Sequence, residues 1–262
     1  MKRMIYQVCV GKPSKLYEAC IASVEKYCEK HNFEHIVQTT PILRIKPDIF
    51  ATNRNPRAWE QYGGFLPIFE KENAFDYLDE YDQIAIIDAD IYIKENSPNI
   101  FDELGDHVFG AVCEREMPIS ETYANSIENY SIAQYSSLKD VDWKWHLNGK
   151  VGAEFFNMGL MVFSKDLKEY LRGQTAKQFL DRIEFKRFVD GDGNWKWSTD
   201  QTLLNWWVKK EKIDVKHIDW RFNNLFSTTS LGKTKESYFV HFFKRDRLPN
   251  RGENIEEILE II

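Results

Sequence analysis

Residues 84–93 read IAIIDADIYI: four apolar residues, Ile84 to Ile87, run out into two carboxylates, Asp88 and Asp90, with one alanine between them. A strand that is apolar throughout is covered on both faces, as central strands of parallel α/β sheets are. Carboxylates at the carboxyl end of such a strand face the crevice where these sheets bind ligands. Two carboxylates one residue apart can meet a single hard cation if the backbone bends, and Mg²⁺ or Mn²⁺ held this way keeps positions for substrate phosphates. The same triplet can instead cap the strand or begin a turn, where acidic residues are common. Spacing alone leaves both readings open.

Upstream of this strand, Ile5 to Val10 reads as a strand that ends at Gly11, Lys12 and Pro13, and Leu16 to Lys30 carries apolar residues at helical spacing. Phe33 to Val37 reads as a second strand. Thr39 to Arg57 is polar, proline-bearing and without period, a long loop of the kind that often carries function. Trp59 to Leu78 reads as helical, interrupted around Gly63, Gly64 and Pro67. Downstream, Val108 to Cys113 and Phe155 to Phe163 are strand-like, whereas Pro118 to Lys150 shows no clear periodicity. Leu167 to Phe188 and Asp200 to Lys209 read as helical, and Val215 to Ile218 and Tyr238 to Phe243 as short late strands. The alternation predicts an α/β fold with one mixed, mostly parallel sheet flanked by helices. A single domain over residues 1–262 is expected; the best candidate boundary is the polar loop near Asn148 and Gly149.

With 43% hydrophobic and 29% charged residues the chain is globular, not disordered. Its net charge of -6 comes from interspersed acids and bases, with no basic stripe for a phosphate backbone, which excludes nucleic acid as a partner class. Cys9, Cys20, Cys28 and Cys113 match no zinc, redox or disulfide spacing and read as buried thiols. The start, MKRMIYQVCVGKPSK, holds an apolar run too short for a signal or an anchor, so a soluble, cytoplasmic protein without a transmembrane segment is expected. The fingerprint G-x-G-x-x-G is absent, and with it the case for a nicotinamide or flavin site.

IAIIDADIYI resembles the metal-binding DxD segment of GT-A glycosyltransferases, whose fold is the Rossmann-like nucleotide-diphospho-sugar transferase fold. Three further segments resemble, in order, those of glycosyltransferase family 8, the glycogenin and bacterial galactosyltransferase group. FFNMGLMVFS matches its Asn-x-Gly before an apolar strand, STDQTLLNWW its Asp-Gln helix start, and SYFVHFFK its late strand ending in a metal-binding His with Lys close behind. The resemblance implies transfer of a hexose from a nucleotide diphosphate sugar, UDP being the expected nucleotide, to a glycan or other hydroxyl acceptor with retention.

By that resemblance Asp88, Asp90 and His241 would hold Mn²⁺ or Mg²⁺. Val10, Gly11, Lys71, Asp88, Ala89, Asp90, Asn157, Gly159 and Lys244 would bind the donor, with Asn157 and Gly159 under its sugar and Lys244 at the diphosphate. Asp200 and Gln201 would stand at the reacting centre. The plain alternatives are a half-buried His241 bonded to backbone, a bulge at Asn157 and Gly159, helix capping around Asp200 and a solvated Lys244. Two Trp-Lys-Trp triplets, at 143–145 and 195–197, could stack on sugar rings or simply be buried. Trp195 and Trp197 are the acceptor candidates because Gly191, Asp192 and Gly193 make their approach loop-like, while Trp206 and Trp207 belong to a helix core face. A haloacid-dehalogenase-like phosphatase would carry its Asp pair after the first strand. A sugar nucleotidyltransferase would show a Gly-rich basic loop where VCVGKPSK stands. An inactive GT-A sugar-binding protein is the non-enzymatic alternative.

Overall fold

The computed structural model describes residues 1–147 and 149–262; the expected boundary at Asn148 lies outside the described residues. Strand β1 (Arg3–Val8) leads into helix α1 (Lys15–His31), capped by Ser14, whose hydroxyl accepts from Tyr17 N, and closed by Asn32 at a left-handed φ of 57°. The apolar stripe of α1 (Leu16, Cys20, Val24, Tyr27, Cys28) is buried, as its 3.6-residue period requires. Strand β2 (Glu34–Gln38) follows, then the long loop, then β3 (Gln83–Ile87), β4 (Ile91–Ile93), α2 (Ile100–Leu104) and β5 (Phe109–Cys113). Helix α3 (Glu121–Tyr135), a hairpin of β6 (His146–Leu147) and β7 (Lys150–Val151), and β8 (Phe156–Ser164) come next. Short helices α4 (Lys168–Leu171), α5 (Ala176–Leu180) and α6 (Lys186–Asp190) precede α7 (Asp200–Lys210). The chain finishes with β9 (Val215–His217), β10 (Asn224–Leu225), α8 (Leu231–Glu236), β11 (Phe239–His241) and α9 (Ile255–Leu259).

The main sheet has six strands in the order β2-β1-β3-β8-β5-β9. Strand β3 is buried along its whole length, as its apolar run predicts. It runs parallel to β1 on one side and antiparallel to β8 on the other. A strand buried on both faces carries the same apolar signature whichever way its neighbour points, so composition could not fix this direction. The expectation of one continuous sheet needs correction. Strand β11, within the late strand expected at Tyr238 to Phe243, leaves the main sheet and joins β10 and β4 in a separate three-stranded sheet.

Two helical expectations also change. The stretch from Trp59 to Leu78 forms 3₁₀ turns, at Glu60–Tyr62, Pro67–Phe69 and Lys71–Tyr77. Gly63 and Gly64, at φ of 75° and 87°, hold conformations that end an α-helix. Leu167 to Phe188 breaks into α4, α5 and α6, with Arg172 and Gly173 both at positive φ between the first two. Helix α3 arises where no period was read, because its buried positions are Ile127, Ser131, Gln134 and Tyr135, half of them polar.

The long loop is tied down at both ends of its path. The buried carboxylate of Glu70 accepts from the backbone N–H groups of Ile42, Leu43 and Arg44 at 2.7, 3.0 and 2.6 Å. Arg54 donates to the carbonyls of Phe188, Val189 and Ser198, fixing the approach to α7. All four cysteines are buried and free. Among the described residues no helix is long and apolar enough to cross a membrane.

Candidate active site

The backbone bends where β3 ends: Asp88 O accepts from Ile91 N at 3.1 Å, and Asp88 N donates to Gly159 O at 2.8 Å. The bend lets β4 start at Ile91 and pair antiparallel with β11, placing His241 opposite Ile91. Phe242 N then donates to Asp90 O at 2.9 Å. A strand distant in sequence is thereby latched onto the Asp-Ala-Asp triplet. His241 Nε2 lies 3.3 Å from Asp90 Oδ1 and 3.9 Å from Asp88 Oδ2. The three side chains offer ligand atoms within 4.8 Å of one another.

The donor set suits a hard divalent cation, with two carboxylates and one imidazole leaving positions open for phosphate oxygens. The imidazole is also oriented for it. His241 Nδ1 is 3.0 Å from Asn223 Oδ1, and an amide oxygen can only accept, so Nδ1 carries the hydrogen and Nε2 turns a lone pair toward the carboxylates. Burial opposes charge on both partners, yet the field between them wins. The Asp90 carboxyl is held below the usual carboxylate range and His241 is pushed up. A proton and a cation therefore compete for the same pocket of negative potential.

Lys71 is the second organiser. Its buried ammonium sits 2.9 Å from Asp88 Oδ1 and 2.8 Å from Asp200 Oδ2, and donates to Met158 O at 2.8 Å. Burial alone would lower its pKa, but Asp200 and Asp88 raise it, so it stays charged. Burial raises the carboxyl of Asp200, only 2% exposed, despite this lysine. Asp200 opens α7, but the cap position is Thr199, which makes no side-chain capping bond; Asp200 is occupied with Lys71 instead.

A polar ladder continues from His241. Asn223 donates to Asn157 Oδ1 at 2.9 Å, Asn157 donates to Glu114 Oε1 at 2.7 Å, and Gln201 donates to the same oxygen at 3.0 Å. Both ends of the Asn157 amide are thus engaged within the protein. Burial raises the Glu114 carboxyl. Asn157 and Gly159 do sit at a bulge: β5 pairs Ala111 with Met161 but Val112 with Asn157, so residues 158–160 have no partner on β5, and Met158 O accepts from Lys71. A Cβ on Gly159 would come within 2.9 Å of His241 Nδ1 and closer still to Cε1. The glycine therefore makes room for the imidazole. Neither Asn223 nor Glu114 was singled out in the sequence; an asparagine in a short turn and a glutamate after a strand carry no pattern of their own.

A pocket of about 320 Å³ adjoins the carboxylates, lined by Val10, Tyr17, Lys71, Asp88, Ala89 and Asp90 among others. Gly11 follows Val10 at a φ of 93° and turns the chain away. The Lys244 ammonium lies over the Tyr123 ring, 4.4 Å from the centroid. Trp143 is buried and stacked on Tyr135, and Trp206 and Trp207 are buried in the core, as expected. Trp195 donates from its indole to Gln134 O at 3.0 Å and packs edge-on against Phe188, a structural role. Trp197 is 66% exposed.

The family model described as glycosyl transferase family 8 matches residues 19–246. An active-site mutant of LgtC has a similar structure at 14% identity, with a TM-score of 0.51, covering 98% of this chain and 95% of that one. The galactosyltransferase LgtC in complex with donor and acceptor sugar analogues aligns at 13% identity, with a TM-score of 0.50, over 92% of this chain and 87% of that one. At such identities the likeness speaks to the fold. No curated protein sequence matches the chain significantly.

Proposed function

The chain belongs to glycosyl transferase family 8 and is a glycosyltransferase of GT-A fold, and we propose that it moves a hexose from a UDP-sugar to a glycan hydroxyl with retention, using Mn²⁺ or Mg²⁺ held by Asp88, Asp90 and His241. Residues 1–262 are taken to act as a single domain. The observation that carries this reading is the meeting of those three ligands with a histidine whose free nitrogen is turned toward them by Asn223. When bound, the cation supplies positive charge to the diphosphate as it leaves.

The protein's own residues do the rest. The pocket beside Asp88 takes the nucleotide, with Val10 and Gly11 near the base, and Ala89 lets the chain approach closely between the two carboxylates. Lys71 holds Asp88 and Asp200 at fixed separation. By the family resemblance, Asp200 is assigned to the donor sugar hydroxyls and Gln201 to the side of the anomeric carbon. In the transfer the bond from C1 to the diphosphate breaks, a bond from C1 to the acceptor oxygen forms, and the hydroxyl proton leaves with the diphosphate.

UDP-sugar hydrolysis and UDP binding measured with Mn²⁺, after EDTA, and after metal is restored test the reading. Activity untouched by EDTA sinks the metal assignment. Asp90→Asn should abolish turnover with little change in the melting curve, since the relief of repulsion from Asp88 offsets the lost attraction to His241. Unfolding of that variant would return Asp90 to a structural role.

A further inference from the structure

A cavity of about 620 Å³ lies between α1, the end of β4 and α9, nearly twice the volume of the 320 Å³ nucleotide pocket and sharing none of its lining. Helix α1 supplies Ala19, Ala22, Lys26 and Lys30, which recur every three or four residues and so share one helix face. Tyr92, Lys94 and Glu95 form a second wall, and Leu259 a third. We propose that this cavity binds a phosphate monoester with an apolar body, the phosphate among Lys26, Lys30 and Lys94 and the body against Ala19, Ala22 and Leu259.

The charge of the lining runs against that of the chain. The protein carries a net charge of -6, yet three lysines and one glutamate line the cavity. A concave surface of one sign with low-dielectric walls concentrates its potential on a small counter-ion. Glu95 does not cancel the lysines: among the described residues its carboxylate forms no salt bridge, and only its backbone carbonyl meets Lys30, at 2.7 Å. Lys26 has no hydrogen bond or salt bridge among the described residues. Lys94 donates to Thr234 O at 2.7 Å and Lys235 O at 3.2 Å, carbonyls that orient it without neutralising it. Burial and then the charge of Lys235 hold it below the ordinary lysine range, so an anion beside it is favoured. An ammonium has three hydrogens, so all three lysines keep at least one to donate.

A phosphate monoester fits this set better than a carboxylate, because it carries roughly two negative charges at pH 7 and offers terminal oxygens to several donors at once. Phosphate alone would leave most of the space empty, since the volume falls within the roughly 300 to 1,000 Å³ of small-molecule pockets. Ala19 and Ala22 are short where longer side chains would fill the hollow. Ser23 and Tyr27, deeper in, spend their hydroxyls on Ile93 N and on Pro98 O and Ile100 N, so recognition of the anion falls to the lysines.

The site stands apart from the proposed transfer, and its test needs neither donor nor metal. Saturation-transfer NMR titrations in metal-free buffer would use phenyl phosphate, benzyl alcohol and inorganic phosphate as probes. Phenyl phosphate should bind at least about tenfold more tightly than the other two, each of which lacks half of the ligand. Lys26→Glu, exposed on α1, and Ala22→Trp, which fills the hollow, should each weaken it about tenfold or more. Lys139→Glu, an exposed charge reversal outside the cavity, should leave it unchanged. Melting curves show which variants are folded, and if Ala22→Trp is not, Lys26→Glu decides. Phosphatidylcholine vesicles with and without phosphatidic acid separate the two sources of such a phosphate. Sedimentation that Lys26→Glu abolishes assigns a lipid, and no sedimentation assigns a soluble metabolite. No binding of phenyl phosphate, equal binding of benzyl alcohol or inorganic phosphate, indifference to either folded cavity variant, or equal weakening by Lys139→Glu overturns the assignment.

Discussion

Gly159 lacks a side chain where His241 needs the space: a Cβ there would stand 2.9 Å from His241 Nδ1, a separation real Cβ atoms essentially never show. Gly159→Ala must therefore push the imidazole, its asparagine partner, or the bulge at residues 158–160. Overpacking of this kind costs about 1–3 kcal/mol. The larger effect should fall on the metal, because displacing one ligand opens the Asp88, Asp90 and His241 set. We expect Mn²⁺-dependent UDP binding to weaken at least about tenfold in Gly159→Ala, measured by calorimetry. A variant that binds UDP and Mn²⁺ as well as the wild type would show that the glycine is there for some other reason.

Lys71 stands between Asp88 and Asp200, and its removal leaves the buried Asp200 carboxylate without its partner. Breaking a buried pair from one side costs roughly 3–5 kcal/mol, whereas removing both members is far milder. Urea denaturation of Lys71→Met should show a loss in that range, and Asp200→Asn added to it should restore a large part. Additive losses in the double variant would mean that the two residues are not energetically coupled.

His217 forms a separate ionic cluster away from the proposed metal ligands, with Nε2 2.6 Å from Glu154 Oε1 and Nδ1 3.1 Å from Glu116 Oε2. Lys209 completes it at Glu154. The hydrogen bond from His217 brings Glu154 down to about 2, and the same bond raises His217 above its ordinary 6.5. A raised histidine contributes fully below its unfolded value and loses that contribution as pH climbs through its folded one; a depressed glutamate contributes above its unfolded value and loses that as pH falls. The cluster is thus fully formed between about 4.5 and 6.5. His217→Gln should lower the melting temperature by roughly 2 °C at pH 6, and the difference should shrink toward pH 9. A gap that does not change with pH would remove the ionic explanation.

What the sequence disclosed follows from which interactions leave a local trace. The strand at Ile84 to Ile87, the carboxylates after it and the amphipathic α1 are written in periodicity, and they stand where that periodicity puts them. His241 could be placed at the pair only through the order of resembling segments, since its contact with Asp90 is made by strand pairing across the chain. Lys71 opens a 3₁₀ helix within a stretch that reads as an interrupted helix, and its role depends on two partners from other elements. Helix α3 was invisible because Ser131 and Gln134 occupy positions where an apolar stripe would be expected. Glu114 and Asn223 have meaning only in three dimensions, as members of a hydrogen-bonded chain.

Asn223 is the most exacting test of that chain, because it touches neither carboxylate and acts on the metal ligands only through His241. Its Oδ1 accepts from His241 Nδ1 at 3.0 Å while its Nδ2 donates to Asn157 at 2.9 Å, so it selects the imidazole tautomer and joins the two halves of the site. Outer partners of a ligating histidine typically change metal affinity by about 10- to 100-fold. Asn223→Ala should raise the Mn²⁺ concentration needed for half-maximal UDP-sugar hydrolysis within that range, with activity recovering at saturating metal. Asn223→Asp, which keeps an acceptor opposite Nδ1 but loses the donor to Asn157, should recover metal affinity without recovering the full rate. If Asn223→Ala instead lowers the rate at every Mn²⁺ concentration with no shift in the half-saturation point, the residue holds the fold and not the ligand.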